Sequence, residues 1–222
     1  MTKSTFNIKN LAAMGILAAL AVAADMFLRI PGIGGFLTYE PKDVIITIGA
    51  FIFGPIAGLI MSFIVCLVEM VTVSSTGPIG LLMNFLSSGM FVGIASVIYF
   101  RKKTMTRAIV GLIAAVFSMT AIMLLWNYIV TPLYMGVSRE MVLSMFMPLL
   151  IPFNLLKASL NAALVLLLYK GVVTALRKSG LVPVREGSGT GNKRTNTILV
   201  VVISAVAVIT LLLVMLIFAK II

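Results

Sequence analysis

The chain has 222 residues, of which 61% are hydrophobic and only 10% are charged, and its formal net charge is +11. A soluble domain is nearer half apolar and about a quarter charged, so this composition excludes an ordinary soluble enzyme. With no histidine and one cysteine, Cys66, the chain also lacks the parts for Ser-His or Cys-His catalysis, an intrachain disulfide or a multi-thiolate metal site. We therefore expect neither an enzyme nor a metal site.

The apolar runs, taken in chain order, predict an all-α polytopic membrane protein. The first span covers residues 11–30 and is followed by a glycine-rich loop that reaches Lys42. Residues 44–73 are too long for one span of a bilayer core of about 30 Å, and Gly54-Pro55 predicts a break into two helices. Further spans are predicted over 79–100, 108–131 and 145–176, with a loop over 132–144. Residues 197–219 form a last, wholly apolar span.

Basic residues determine the predicted orientation. One group precedes the first span, a second separates the spans over 79–100 and 108–131, and a third follows residue 169. If Gly54-Pro55 is a turn, all three groups lie on one side of the membrane. The positive-inside rule then places the N-terminus in the cytoplasm, in a multi-pass protein of the cell membrane. The same placement argues against nucleic acid as a partner, because these charges accompany membrane spans.

Several polar residues lie within the apolar runs, each a few residues from the outer end of its predicted helix. They are Glu69, Asn84, Asn127, Asn154 and Lys157. A lysine at membrane depth is costly and is usually paired or functional. The convergence of these groups at a similar depth predicts a cavity that opens to the outside and has a polar end.

Each of these residues also has a simpler interpretation. Lys157 can snorkel towards the surface, Glu69 can be its structural counter-ion, and Asn84 and Asn127 can form hydrogen bonds between helices. Tyr39 and Trp126 belong either to an interfacial aromatic belt or to a surface that stacks on a planar ligand.

The first span carries a stripe of small residues, Gly15, Ala19 and Ala23, spaced by four. Such a stripe lets two helices approach closely in a bilayer. It predicts either a packing seam within the chain or a docking face for another membrane protein.

The layout of six spans over about residues 8–180 resembles the substrate-binding S components of energy-coupling factor (ECF) vitamin transporters. Five stretches resemble the riboflavin-specific branch: LTYEPKDV, FIFGPIAG, STGPIGLLMNFLS, WNYIVTPLY and PFNLLK. The seventh span is not part of that six-helix pattern. The resemblance, together with the polar composition before the last apolar span, predicts three parts: a substrate-binding domain over 1–182, a polar linker over 183–196 and an additional transmembrane helix over 197–222.

The resemblance implies a subunit that binds riboflavin or a related flavin as cargo, with no resident cofactor. It implies that Asn127, Asn154 and Lys157 contact the ligand, and we add Tyr39 and Asn84 as candidates from their positions. It also implies that Gly15, Ala19 and Ala23 face a membrane coupling subunit, which works with two cytoplasmic ATPases. The alternative is an S component for a different vitamin or a nucleobase-like ligand.

Overall fold

The computed structural model describes residues 7–33, 36–74, 76–181 and 193–218. In chain order its elements are α1 (Ile8–Leu28), β1 (Ile30–Ile33), β2 (Leu37–Tyr39), α2 (Lys42–Phe53), α3 (Pro55–Thr72), α4 (Gly77–Phe100), α5 (Met105–Met135), α6 (Arg139–Ser144), a π-helical turn (Phe146–Leu150), α7 (Ile151–Lys178) and α8 (Lys193–Phe218). Within the described residues, six segments are long and apolar enough to cross a membrane, and α2 is a shorter helix among them. The predicted all-α polytopic fold is confirmed.

The break predicted inside the longest apolar run is present. Helix α2 ends at Phe53, and Gly54 has φ 109°, a backbone conformation that L side chains rarely adopt. Pro55 then begins α3, where its missing N–H costs no helical hydrogen bond. Gly54 also lies against the Phe100 ring, so this turn and the end of α4 lie at the same end of the bundle.

Two predicted loops contain regular structure. The glycine-rich loop after α1 forms an antiparallel hairpin in which Ile30 pairs with Tyr39. The loop predicted from residue 132 begins later, because α5 continues through Pro132 and ends at Met135, followed by Gly136 with φ 65°. A proline within a membrane helix removes one hydrogen bond, and neighbouring groups can compensate for it.

The two ends of the helix bundle differ in their residues and in the elements that they carry. The stacked rings of Phe51 and Tyr99 and the contact between the Tyr99 and Tyr169 hydroxyl groups bring α2, α4 and α7 together at one end. This end, which we call the basic end, includes Lys9, Arg101, Lys102, Lys103, Arg107, Lys170, Arg177 and Lys178. The other end carries the hairpin and the starts of α2, α4 and α7, and we call it the cavity end.

Helix α8 packs along α7 near the cavity end. Met215 is fully buried in a cluster with Tyr39, Phe153, Leu156 and Leu160. Most of the remaining α8 surface between residues 200 and 218 is not buried by the chain. The helix begins at Lys193 rather than at the predicted residue 197. Much of the predicted linker, residues 183–192, lies outside the described residues, as do residues 219–222.

Helices α4 and α5 approach closely at Gly111. A Cβ atom added there would lie 2.7 Å from the backbone oxygen of Ala95, whereas one added at Gly171 on α7 would meet no atom within 4 Å. We therefore expect Gly111→Ala to lower the free energy of unfolding by about 1–3 kcal/mol, the usual cost of overpacking. Gly171→Ala is the matched control and should be neutral or slightly stabilising, because alanine favours helix. Thermal unfolding in detergent measures both, and equal stability of the two variants would contradict the proposed close contact.

Candidate functional site

A cavity of about 330 Å³ lies at the cavity end, enclosed by the hairpin and by α3, α4, α5 and α7. Its volume falls in the range of small-molecule sites. Its polar wall is formed by Arg29, Glu40, Glu69, Asn84, Ser87, Asn127, Asn154 and Lys157. Its apolar wall includes Phe36, Ile79, Met83, Met123, Trp126, Val130 and Phe153. A bound molecule would therefore meet both hydrogen-bonding groups and the surfaces of rings and thioethers.

A buried ionic network forms the floor of the cavity. Lys42, at the start of α2, is fully buried, and its Nζ lies 2.6 Å from Glu69 Oε2 and 3.0 Å from Glu40 Oε2. Lys157 Nζ on α7 lies 2.8 Å from the same Glu40 oxygen. Because a buried charge is stable only when it is paired, these contacts tie the hairpin, α2, α3 and α7 together.

Two further groups extend the network to α1 and α4. Asn84 Nδ2 donates to Glu69 Oε1 at 2.7 Å. Arg29 lies at 3.5 Å from Glu40 and at 3.9 Å from Glu69, and it donates to the backbone oxygen of Val73 at 3.2 Å. Every carboxylate oxygen of Glu40 and Glu69 therefore contacts at least one donor.

Glu40 lies between the hairpin and α2, and its charge is well stabilised. Burial acts to raise its pKa, but Lys157 and Lys42 outweigh burial and hold the pKa of this carboxyl well below its usual range. Glu40 is thus an anion at physiological pH and acts as an acceptor for the basic side chains around the cavity.

Two more carboxylates lie deeper. Asp43 Oδ1 accepts from Ser88 Oγ at 2.5 Å. Asp25 is 2% exposed, and neither of its oxygens has a hydrogen-bond partner among the described residues. With Glu40 and Glu69 they make four buried acidic side chains close to the three basic residues Arg29, Lys42 and Lys157. Acidic and basic side chains are therefore interspersed around the cavity.

The amides on α5 and α7 are oriented by their own helices. Asn127 Nδ2 donates to the Met123 oxygen at 2.7 Å, and Asn127 Oδ1 accepts from Thr131 at 2.9 Å. Asn154 Nδ2 donates to the Leu150 oxygen at 2.8 Å. An amide offers two N–H groups and two lone-pair sites, so both side chains keep hydrogen-bonding capacity while their orientation is fixed.

The structure brings four of the five predicted ligand-binding residues to the cavity wall: Asn84, Asn127, Asn154 and Lys157. Tyr39 is placed elsewhere: it is 3% exposed, it is not part of the cavity wall, and its hydroxyl donates to Asn161 Oδ1 at 2.9 Å. Lys157 is 6% exposed and does not snorkel, and its carboxylate partner is Glu40 rather than Glu69.

Sequence reasoning missed Arg29, Glu40 and Lys42. It concentrated on polar residues within the later apolar runs, whereas Arg29 lies at the very end of the first run and Glu40 and Lys42 lie in the loop that follows it. The sequence did contain a signal for these ion pairs. Acidic and basic residues occur in nearly equal numbers between the end of the first helix and the start of the second.

Two of the three residues of the small-residue stripe on α1 face away from the bundle, and the third, Ala23, is half-buried. Gly15 and Ala19 are exposed, and no atom lies within 4 Å of a Cβ built at Gly15. The buried face of α1 is formed by other residues, among them Ala13, Leu17 and Ala21. Within the described residues, Gly15 and Ala19 therefore do not form a packing seam.

Comparisons with known proteins point to one family. A family model described as "ECF transporter, substrate-specific component" matches residues 9–169. The riboflavin transporter RibU of Staphylococcus aureus (strain TCH60) is 30% identical over 177 residues, which is 77% of this chain and 93% of that protein. The solved structure of an S component of a bacterial ECF transporter matches with a TM-score of 0.64 and 30% identity, covering 75% of this chain and 96% of that chain. The family model ends before α8.

The ionic network makes a prediction about stability. Lys42→Met keeps the side-chain length but leaves Glu40 and Glu69 buried without their shared cation. Breaking a buried pair in this way costs about 3–5 kcal/mol, so the variant should unfold at a clearly lower temperature. Lys102→Met, an exposed lysine at the basic end, is the matched control and should change little. If both variants melt like the unmodified protein, Lys42 does not hold the cavity floor together.

Proposed function

The chain belongs to the substrate-specific component family of ECF transporters, and from this premise we propose that it captures riboflavin or a closely related flavin for uptake. A member of this family is a transport subunit and not an enzyme. The observation that carries the proposal is the amphipathic cavity, with Asn127, Asn154 and Lys157 on its polar wall and Trp126 on its apolar wall. The riboflavin transporter that is 30% identical to this chain supports the choice of ligand.

The polar wall suits the polar parts of a flavin. The imide edge of the ring system presents alternating donors and acceptors, which an asparagine amide can match because it both donates and accepts. Lys157 only donates, so it suits a carbonyl oxygen of the ring or a hydroxyl oxygen of the ribityl chain. In our proposal Asn127 and Asn154 form hydrogen bonds with the imide edge of the ring system. Asn84 and Lys157 contact the other carbonyl and hydroxyl oxygens of the flavin.

The apolar wall suits the dimethylbenzene end. Trp126, Phe36 and Phe153 offer ring surfaces, and Met83 and Met123 are flexible and polarisable enough to fill the space around a flat tricycle. The flavin is cargo in this proposal, and no resident cofactor is required.

We place the basic end in the cytoplasm. The basic residues of the connections and helix ends gather at that end, and the positive-inside rule assigns such an end to the cytoplasmic side. The N-terminus is then cytoplasmic, and the cavity lies near the outer face, where it can receive ligand from outside.

Transport requires partners, and α1 provides a surface for one of them. In our proposal Gly15, Ala19 and Ala23 contact a membrane coupling subunit, which links this chain to two cytoplasmic ATPase subunits. The exposure of Gly15 and Ala19 supports this assignment, because small exposed residues at this spacing permit close helix contact in lipid.

Fluorescence titration tests the proposed ligand. We expect the purified protein to bind riboflavin and to quench its fluorescence, because an excited flavin that stacks on an aromatic side chain can relax without emitting light. Mass spectrometry of the ligand extracted from freshly purified protein gives an independent identification. Absence of quenching, together with tight binding of another vitamin or a nucleobase, would assign the protein to the alternative ligand class.

Lys157 is the most informative single position in the cavity. Lys157→Met should weaken riboflavin binding by about 1.5–3 kcal/mol, the value of a hydrogen bond to a charged group. Glu40 keeps Lys42 and Arg29 as partners in this variant, so the fold should persist. Lys170→Met is the control, since Lys170 is exposed on the same helix and lies outside the cavity. Equal dissociation constants for both variants would place Lys157 outside the ligand contacts.

The α1 stripe separates binding from delivery. Replacing Gly15 and Ala19 by leucine should prevent close approach of the coupling subunit and abolish uptake, while riboflavin titration of the isolated protein stays normal. Ala121→Leu, at an exposed small residue of α5, is the control and should transport normally. Normal uptake by the double variant would rule out this stripe as the coupling face.

A further inference from the structure

A second cavity lies at the basic end and shares no residue with the first. Its volume is about 190 Å³, and its walls come from the ends of α2 and α4, the start of α5 and the second half of α7. Neither the family match nor the proposed flavin site accounts for it.

The walls of this cavity are mainly apolar. Phe51 and Tyr99 stack with ring centroids 4.3 Å apart, and Val165 and Leu166 continue the surface along α7. The hydroxyl groups of Tyr99 and Tyr169 lie 3.0 Å apart and hydrogen-bond to each other. The inner part of the cavity thus suits a hydrocarbon guest, because its principal polar atoms already have partners.

The cavity borders the surface that faces lipid. Met105, a wall residue at the start of α5, is itself 43% exposed. In a membrane protein such an exposed apolar side chain contacts lipid. An acyl chain from the surrounding bilayer can therefore reach the cavity beside Met105.

The mouth of the cavity is basic. Lys103 and Thr104 line it, and Arg101, Lys102 and Arg107 are close in sequence. Among the described residues, no acidic side chain lies at this end of the molecule: four belong to the ionic network region and Glu140 is on α6. The N-terminus of α5, a helix of 31 residues, points its first N–H groups towards the same place and adds a favourable field for an anion.

We propose that this cavity binds one anionic phospholipid, with an acyl chain among the aromatic side chains and the headgroup phosphate beside Lys103 and the start of α5. Basic pockets between membrane helices are known to hold anionic headgroups by this combination of forces. A free phosphate ion would use only the mouth and would leave the apolar walls without a partner, so the lipid is the occupant that matches the whole cavity.

Native mass spectrometry of the full chain tests the proposal. The protein is released from nanodiscs that contain equal amounts of phosphatidylglycerol and phosphatidylcholine, and the lipid that stays bound is counted. We expect one phosphatidylglycerol to be retained in preference. Lys103→Gln should reduce this retention about fivefold, the effect of one basic side chain near an anionic headgroup. Lys178→Gln, the same charge change at the same end but outside the cavity, should leave it unchanged.

A phosphatidylglycerol with a photoreactive acyl chain locates the site without any mutation. We expect crosslinks in the unmodified protein to map to residues 99–108 and 165–169. Equal retention of the two lipids, an equal loss in both lysine variants, crosslinks confined to other helices, or displacement of the lipid by millimolar inorganic phosphate would each overturn the proposal.

Discussion

The contact on which the rest of the structure depends is that of Lys42 with Glu40 and Glu69. A lysine that is fully buried in an apolar bundle must be surrounded by anions, and here two carboxylates from different parts of the chain approach it within 3.0 Å. Glu40 also forms an ion pair with Lys157 from α7, and Glu69 accepts a hydrogen bond from Asn84 on α4. The same contacts that position these helices also make the floor of the cavity. The contacts that stabilise the bundle are therefore also the contacts that shape the site.

This arrangement affects what the cavity can bind. Arg29 and Lys157 face the cavity, but each already lies beside a carboxylate, so neither offers an uncompensated charge. An uncharged ligand that is rich in carbonyl, imide and hydroxyl groups fits such a wall better than an anion does, because it can share these polar groups without leaving a charge unpaired.

The sequence predicted the features that depend on local pattern. The long apolar runs, the break at Gly54-Pro55 and the common depth of Asn127, Asn154 and Lys157 follow from composition and helix geometry. The ion pairs were not predictable in this way, because Lys157 and Glu40 are 117 residues apart and only the packed fold brings them together. Tyr39 shows the same limit: an aromatic residue in a polar loop suggests ligand contact, whereas its hydroxyl bonds to Asn161 and its ring packs against α7 and α8.

Helix α1 connects the two surfaces that the proposed transport function needs. Its Gly15 and Ala19 are exposed near the middle of the helix, while Arg29 directly after its last turn contacts Glu40 and Glu69 at the cavity. A helix of 21 residues is about 31 Å long. A partner that packs against the stripe and tilts α1 as one unit would also displace Arg29 relative to the two carboxylates. Because those carboxylates hold Lys157 and Asn84 in the cavity wall, such a tilt acts on the ligand site through charge contacts that are already present.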